Sequence, residues 1–190
     1  MLIAIPSAYA MAFNPVRHAK DILLRMLSTK MLPAVKVLMP IYLLAQKFGL
    51  LDTKFVLVII YALINLSIIM MILFNYFREI PKKILEGSRM DSTSTLNKSP
   101  KSSSHWRGGG IASTALLSIV LCWNEAFWAI NLTAGDARTL TALVASFSSP
   151  KGLFWAKLSA VSTLACAPIV VLGWMWQKQL VQGMTFGAVK

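Results

Sequence analysis

Between Phe55 and Phe77 the chain runs for 23 residues without a single charge and then passes directly into a basic, serine-rich stretch from Arg78 to Gly110. At 1.5 Å per helical residue such a run covers about 35 Å, enough to cross a hydrocarbon core of about 30 Å with some tilt. The junction therefore predicts a membrane-spanning helix that ends in a polar loop. Composition agrees, because 56% of residues are hydrophobic and only 14% are charged, against about a quarter charged in soluble domains. The net charge of +12 does not point to nucleic acid: its lysines and arginines lie mainly between apolar spans instead of forming one basic face.

Length and charge give three further spans, Ile22 to Ala45, Ile111 to Leu132 and Phe154 to Trp176. Met1 to Phe13 is apolar but too short to cross, and it reads as the end of a span whose beginning is missing. The expectation is four full spans plus a partial N-terminal one in a single all-α domain, residues 1–190. Ala8-Tyr9-Ala10 has the spacing of a signal-peptidase site, but no basic region precedes it.

Placing 78–110 in the cytoplasm puts Arg17, Lys20, Arg78, Lys82, Lys83, Arg89, Lys98, Lys101, Arg107, Lys178 and Lys190 inside. Only Lys47, Lys54, Arg138 and Lys151 then face outward. The asymmetry of basic residues selects this orientation. Cys122 and Cys166 fall within spans and read as small buried packing residues. No metal-ligand spacing, phosphate loop or nucleophile–base pair is visible, so neither an enzyme nor a metal site is expected.

Some residues inside the spans need neighbours. Pro33 and Pro40 interrupt the first full span and Pro168 the last, each freeing a carbonyl that another helix or water must satisfy. Lys30 and Lys36 lie deep in the first full span, either tuning helix packing around a wet crevice or touching solute. Trp123-Asn124-Glu125-Ala126-Phe127-Trp128 poses the same choice. Aromatic rings around an amide and a carboxylate suit a polyhydroxylated solute, which makes Trp123, Asn124 and Glu125 candidates for its path. Alternatively the tryptophans are interfacial anchors and Glu125 braces a neighbouring helix.

That run, with Ser148-Ser149-Pro150, Gly152-Leu153-Phe154-Trp155 and the ending Gln177 to Lys190, resembles the C-terminal half of a carbohydrate-importer permease of the ABC transporter superfamily. The sorbitol/mannitol permeases are the nearest in pattern. Ile5-Pro6-Ser7-Ala8-Tyr9-Ala10 and Phe48-Gly49-Leu50-Leu51-Asp52-Thr53 extend the likeness through the N-terminal part. The resemblance implies a type I importer permease fold and a multi-pass subunit of the bacterial inner membrane. Its implied partners are a second permease, a cytoplasmic ATPase dimer and a periplasmic solute-binding protein. ATP would be used by the ATPase, with no cofactor bound by the permease itself.

The family's coupling motif, Glu-Ala-Ala, three residues, then Gly, falls on Glu86, Gly87, Ser88 and Ser92, with Asp91 beside it. Pro81 suits the start of a short helix on which Ile80, Ile84, Leu85 and Ser88 share a face for a partner. An alternative for the same loop is attraction to anionic lipid through Arg78, Lys82 and Lys83. The motif is altered at Gly87, Ser88 and Ser92, and Thr93 to Trp106 is polar with Leu96 as its only aliphatic residue, so it is expected to be disordered. Three readings follow: a transport subunit for polyols or related sugars, a truncated or frameshifted non-transporting remnant of one, or an unrelated membrane scaffold.

Overall fold

The computed structural model describes residues 1–14, 18–80, 100–149 and 152–185, with side chains over 1–14, 18–80, 109–147 and 154–177. Eight helices and one minimal hairpin follow in order among these residues: α1 Ala4–Phe13, α2 Ala19–Lys30, α3 Ala34–Lys47, α4 Lys54–Glu79, α5 Pro100–Trp123, α6 Phe127–Leu132, α7 Leu140–Ser146, β1 Ser148–Ser149, β2 Gly152–Leu153 and α8 Trp155–Thr185. The strands pair antiparallel, Ser148 with Leu153 and Ser149 with Gly152.

The uncharged run forms α4, the 26-residue mast of the molecule. Thr53 starts it by accepting the Val56 N–H at 3.3 Å, one of the donors that a helix start leaves without an internal partner. Arg78 in the last turn lies 5.6 Å from the Phe74 ring, where a cation also meets the negative end of the helix dipole.

Two apolar cores lie along this mast. Toward its Arg78 end, Leu73, Phe74 and Phe77 pack with Ala4 and Ala8 of α1 and Leu23 of α2. Tyr9 lies edge-on to Phe77 with centroids 5.7 Å apart. Toward the Thr53 end, Val56, Leu57 and Ile60 pack with Trp128, Ala129 and Leu132 of α6 and Ala142 of α7.

Three expectations need correction. Ile22 to Ala45 is not one helix: α2 stops at Lys30 and α3 starts at Ala34, after Pro33 with ψ 122°. Pro33 disfavours helical backbone at Leu32, which is why the break falls here. Pro40, by contrast, stays inside α3, and Pro168 inside α8. Ile111 to Leu132 is likewise split at Asn124–Ala126. The third correction concerns the end of the polar stretch: from Pro100 to Trp106 the backbone is already helix α5, not an irregular run. Proline suits the first turn of a helix because its missing N–H would have had no partner there.

Two helices among the described residues are long and apolar enough to span a membrane, α4 and the Trp155–Gln177 part of α8. The apolar part of α5, Gly109–Trp123, and α1 are shorter. The spanning part of α8 buries none of its apolar window; Trp155, Leu164, Val170 and Trp174 are all exposed. Such a face needs lipid or another protein against it.

At the Thr53 end the turns are fixed by chemistry. Gly49, at φ +64°, closes α3, with Leu50 N–H bonded to Ala45 O at 2.8 Å and Gly49 N–H to Gln46 O at 3.0 Å, the two-bond glycine cap of a helix C-terminus. Asp52 also takes a positive φ, 57°, which aspartate tolerates better than most residues. That turn sends its carboxylate across to the loop after α6, where it accepts the backbone N–H groups of Ala134, Gly135, Asp136 and Ala137 at 3.0–3.3 Å. Asp52 N–H returns a bond to Leu132 O at 3.0 Å. The two loops expected on the outer face are thus tied at one end of the bundle.

Candidate functional site

Between the two apolar cores lies a polar layer. Asn65 and Ser67, near the middle of α4, are 3% and 4% exposed. Asn65 Oδ1 accepts from Lys30 Nζ at 3.4 Å and its Nδ2 donates to Cys122 Sγ at 3.3 Å. One buried amide thereby joins the end of α2 to α5. Its burial is tolerable only because both ends of the amide find partners.

The break in the other helix is held at the same level. Glu125 O accepts the Tyr61 hydroxyl from α4 at 3.1 Å and the Thr141 hydroxyl from α7 at 3.2 Å. Glu125 Oε1 in turn takes the Trp128 N–H at 3.5 Å, so the carboxylate braces the start of α6. Trp123 reaches the other way, donating its indole N–H to Ala165 O of α8 at 3.1 Å. That carbonyl is next to the one at Leu164, which loses its helical donor because Pro168 has no N–H.

Two cavities open on opposite sides of the Asn124–Ala126 break. One, of about 360 Å³, is lined by Trp123, Asn124, Thr141, Ser162 and Cys166. The other, of about 350 Å³, is lined by Thr29, Lys30, Val37, Leu63, Glu125 and Trp128. The structure therefore separates residues that the sequence places together: Trp123 and Asn124 face α8, whereas Glu125 faces the α2–α3 elbow. Cys166 is exposed on the first cavity instead of buried, and Cys122 is half-buried. Lys36 lies exposed in the first turn of α3, away from both linings. The proposed coupling residues Glu86, Gly87, Ser88, Asp91 and Ser92 lie outside the described residues.

Sequence reasoning missed Asn65, Tyr61, Thr141 and Asp52. Asn65 carried a signal, since an amide near the middle of an otherwise apolar span seeks a partner. Asp52 carried none beyond its place in a turn. Its carboxyl is held below the ordinary aspartate value, chiefly by the Gly135 N–H and further by those of Ala134, Ala137 and Asp136, with partial desolvation opposing them.

No protein-family model matches the chain. Individual relatives do, over its whole length. It is 28% identical to the "Probable ABC transporter permease protein y4oR" of Sinorhizobium fredii, across 99% of this chain and 68% of that protein. It is 27% identical to the trehalose/maltose transport system permease MalG of Thermococcus litoralis, across 99% of this chain and 69% of the other. With the sulfoquinovosyl glycerol transport system permease SmoH of Agrobacterium fabrum it shares 23% identity over 100% of this chain and 67% of that one. These relatives are permease subunits, transport components and not enzymes. In structure the chain superposes on a bacterial ABC transporter involved in import of the acidic polysaccharide alginate, with a TM-score of 0.65 and 20% identity over 93% of this chain and 67% of the other. The predominantly helical fold is thus similar to that of a chain of this ABC transporter.

Proposed function

We propose that the chain is a membrane-spanning permease subunit of an ATP-driven importer for sugars or sugar alcohols, and that the broken helices at 31–33 and 124–126 line its solute path. One observation carries the reading: two helix breaks and a buried amide occupy one level of the mast, between two apolar cores. In a bilayer, backbone without helical hydrogen bonds persists only where protein or a water-filled cavity satisfies it. Ionisable side chains at such depth face a cavity for the same reason. Lys30 and Glu125 in one cavity and Asn124 in the other supply donors and acceptors among mostly apolar walls, with Asn65 and Tyr61 bonded to Lys30 and to the Glu125 carbonyl from within the protein; a few polar groups in an apolar lining are what fix orientation in small-molecule sites.

In this reading the subunit is a multi-pass protein of the inner membrane. The exposed face of α8 is covered by lipid or a second permease, the segment around Glu86 to Ser92 meets a cytoplasmic ATPase dimer, and a periplasmic binding protein delivers solute. ATP is hydrolysed by the ATPase. A choice of sorbitol or mannitol over other sugars belongs to the same proposal and rests on sequence pattern alone. The test is uptake by proteoliposomes holding the chain with its partner subunits and binding protein. ATP-dependent accumulation of a labelled sugar or hexitol is expected, with Asn124→Ala lowering the rate without loss of assembly. Normal uptake by that variant removes Asn124 from the path, and no uptake of any sugar or hexitol tested rejects the function.

A further inference from the structure

Lys30 and Glu125 line the same 350 Å³ chamber, yet they do not form an ion pair: among the described residues only His18 and Asp21 come within salt-bridge distance. Each charge is held by the protein instead of by the other. The Lys30 ammonium leans on Asn65 at 3.4 Å, which Cys122 steadies from behind. Glu125 is fixed through its carbonyl by Tyr61 and Thr141 and through its carboxylate by the Trp128 N–H. Both head groups keep unused capacity, since an ammonium has three donors and a carboxylate about four acceptor sites. Lys30 is exposed and Glu125 half-buried on this chamber, so a cation and an anion that do not pair with each other line one cavity of sugar size and give it a defined polarity.

We infer that Lys30 and Glu125 are a charge-balanced donor–acceptor pair that makes this chamber selective for uncharged polyhydroxylated solutes. The inference rests on the solute path proposed above and names what that path admits. A hydroxyl both donates and accepts, so a neutral sugar accepts from Lys30 at one end and donates to Glu125 at the other. A sugar acid satisfies Lys30 but sets a carboxylate or sulfonate against Glu125. An amino sugar satisfies Glu125 but sets an ammonium against Lys30. Like charges within one cavity repel, so both charged classes are disfavoured while Lys30 and Glu125 are both present. Removing either member inverts the preference: without Glu125 the chamber becomes cationic and takes acids, and without Lys30 it becomes anionic and takes amines.

The test uses the full chain in membrane vesicles, with Cys122→Ser, Cys166→Ala and one reporter thiol, Val37→Cys, on the chamber wall. Rates of modification by anionic and cationic methanethiosulfonates are compared, each normalised to its rate with a free thiol, and protection by maltose, glucuronate and glucosamine is measured. With both charges present the normalised rates should be similar, and only maltose should slow them. Glu125→Gln should shift the anion-to-cation ratio about tenfold toward the anion, with glucuronate now protective. Lys30→Gln should shift it about as far the other way, with glucosamine protective. If Glu125→Gln does not insert, Lys30→Gln alone decides. Ratios unmoved by the substitutions overturn the inference. So do shifted ratios with protection patterns unchanged from the parent. Uptake in proteoliposomes is read separately, so sugar protection with the expected inversions but no transport by the assembled complex would reject the importer while leaving the chamber's selectivity standing.

Discussion

Asn65→Leu separates a polar layer built for transport from one built for stability, because leucine reproduces the branching and length of asparagine while removing both of its hydrogen-bonding groups. The structure sets the magnitude. The substitution removes a 3.4 Å bond from Lys30 and a 3.3 Å bond to Cys122, both at the long end. Interhelical polar contacts in membranes average about 0.6 kcal/mol, so the loss is about 1 kcal/mol. Burying leucine where a 3% exposed amide stood offsets part of it. The expected net change is therefore about 1 kcal/mol or less. Leu73→Ala supplies the scale: its side chain is fully buried in the Arg78-end core, and truncating such a leucine costs about 2–5 kcal/mol. Reversible unfolding in mixed micelles, followed by tryptophan fluorescence, would rank the two variants. Sugar uptake by Asn65→Leu should nevertheless fall, because Lys30 loses the group that positions it. A destabilisation of Asn65→Leu as large as that of Leu73→Ala would refute this reasoning and make the polar layer a structural keystone.

Gly110→Val should destabilise by about 1–3 kcal/mol, because even a Cβ at Gly110 would run into the Tyr76 ring; a thermal melt in detergent unchanged from the parent would contradict the α4–α5 packing. The Asp52 clamp should weaken in acid. Its folded carboxyl titrates below the ordinary value of 3.8, so its contribution is full above 3.8 and is lost as pH falls through the lower folded value. Amide exchange at Ala134 to Ala137, corrected for intrinsic rates, should accelerate only in that acidic window, and at neutral pH in Asp52→Asn; flat corrected rates in both cases would remove the clamp. Single cysteines at Ser102 and Asp136 should react from opposite sides of the membrane, and labelling of both from one side would overturn the orientation read from loop charge.

The mast was legible because length and charge act directly on a long helix: the uncharged run from Phe55 to Phe77 matches α4, which extends beyond it by only one residue at its start and two at its end. The final span likewise begins where expected, one residue on from Phe154. Breaks were harder to read. Pro33 and Pro40 carry the same local penalty, yet only Pro33 ends up between helices, and hydropathy does not register that difference. At Asn124 no proline is present; the break is held open by Tyr61 and Thr141 from distant parts of the chain. The chemical types at the site, an amide and a carboxylate among tryptophans, were visible in sequence. Their assignment to two separate cavities was not, because it depends on how the chain turns at three residues.

The clamp and the chamber share a mechanical element. Asp52 fixes 134–137, and α7 then starts directly after Thr139, whose hydroxyl oxygen accepts the Ala142 N–H at 3.3 Å. Two residues into α7, Thr141 holds the Glu125 carbonyl, while Leu132, immediately before the clamped loop, is bonded by Asp52 N–H. The segment from Glu125 to Thr141 is therefore tied to the rest of the fold at both its break and its outer turn. A force applied to the outer loops would reach Glu125 through α6 and α7 without first disturbing the core at the Arg78 end of the mast. Coupling of this kind needs a packed element that both sites bias, and α6, with Trp128, Ala129 and Leu132 buried in the core at the Thr53 end of α4, is the packed element between them. In the importer proposed above, solute arriving from the outer side would meet loops that are tied in this way to the Glu125 carbonyl.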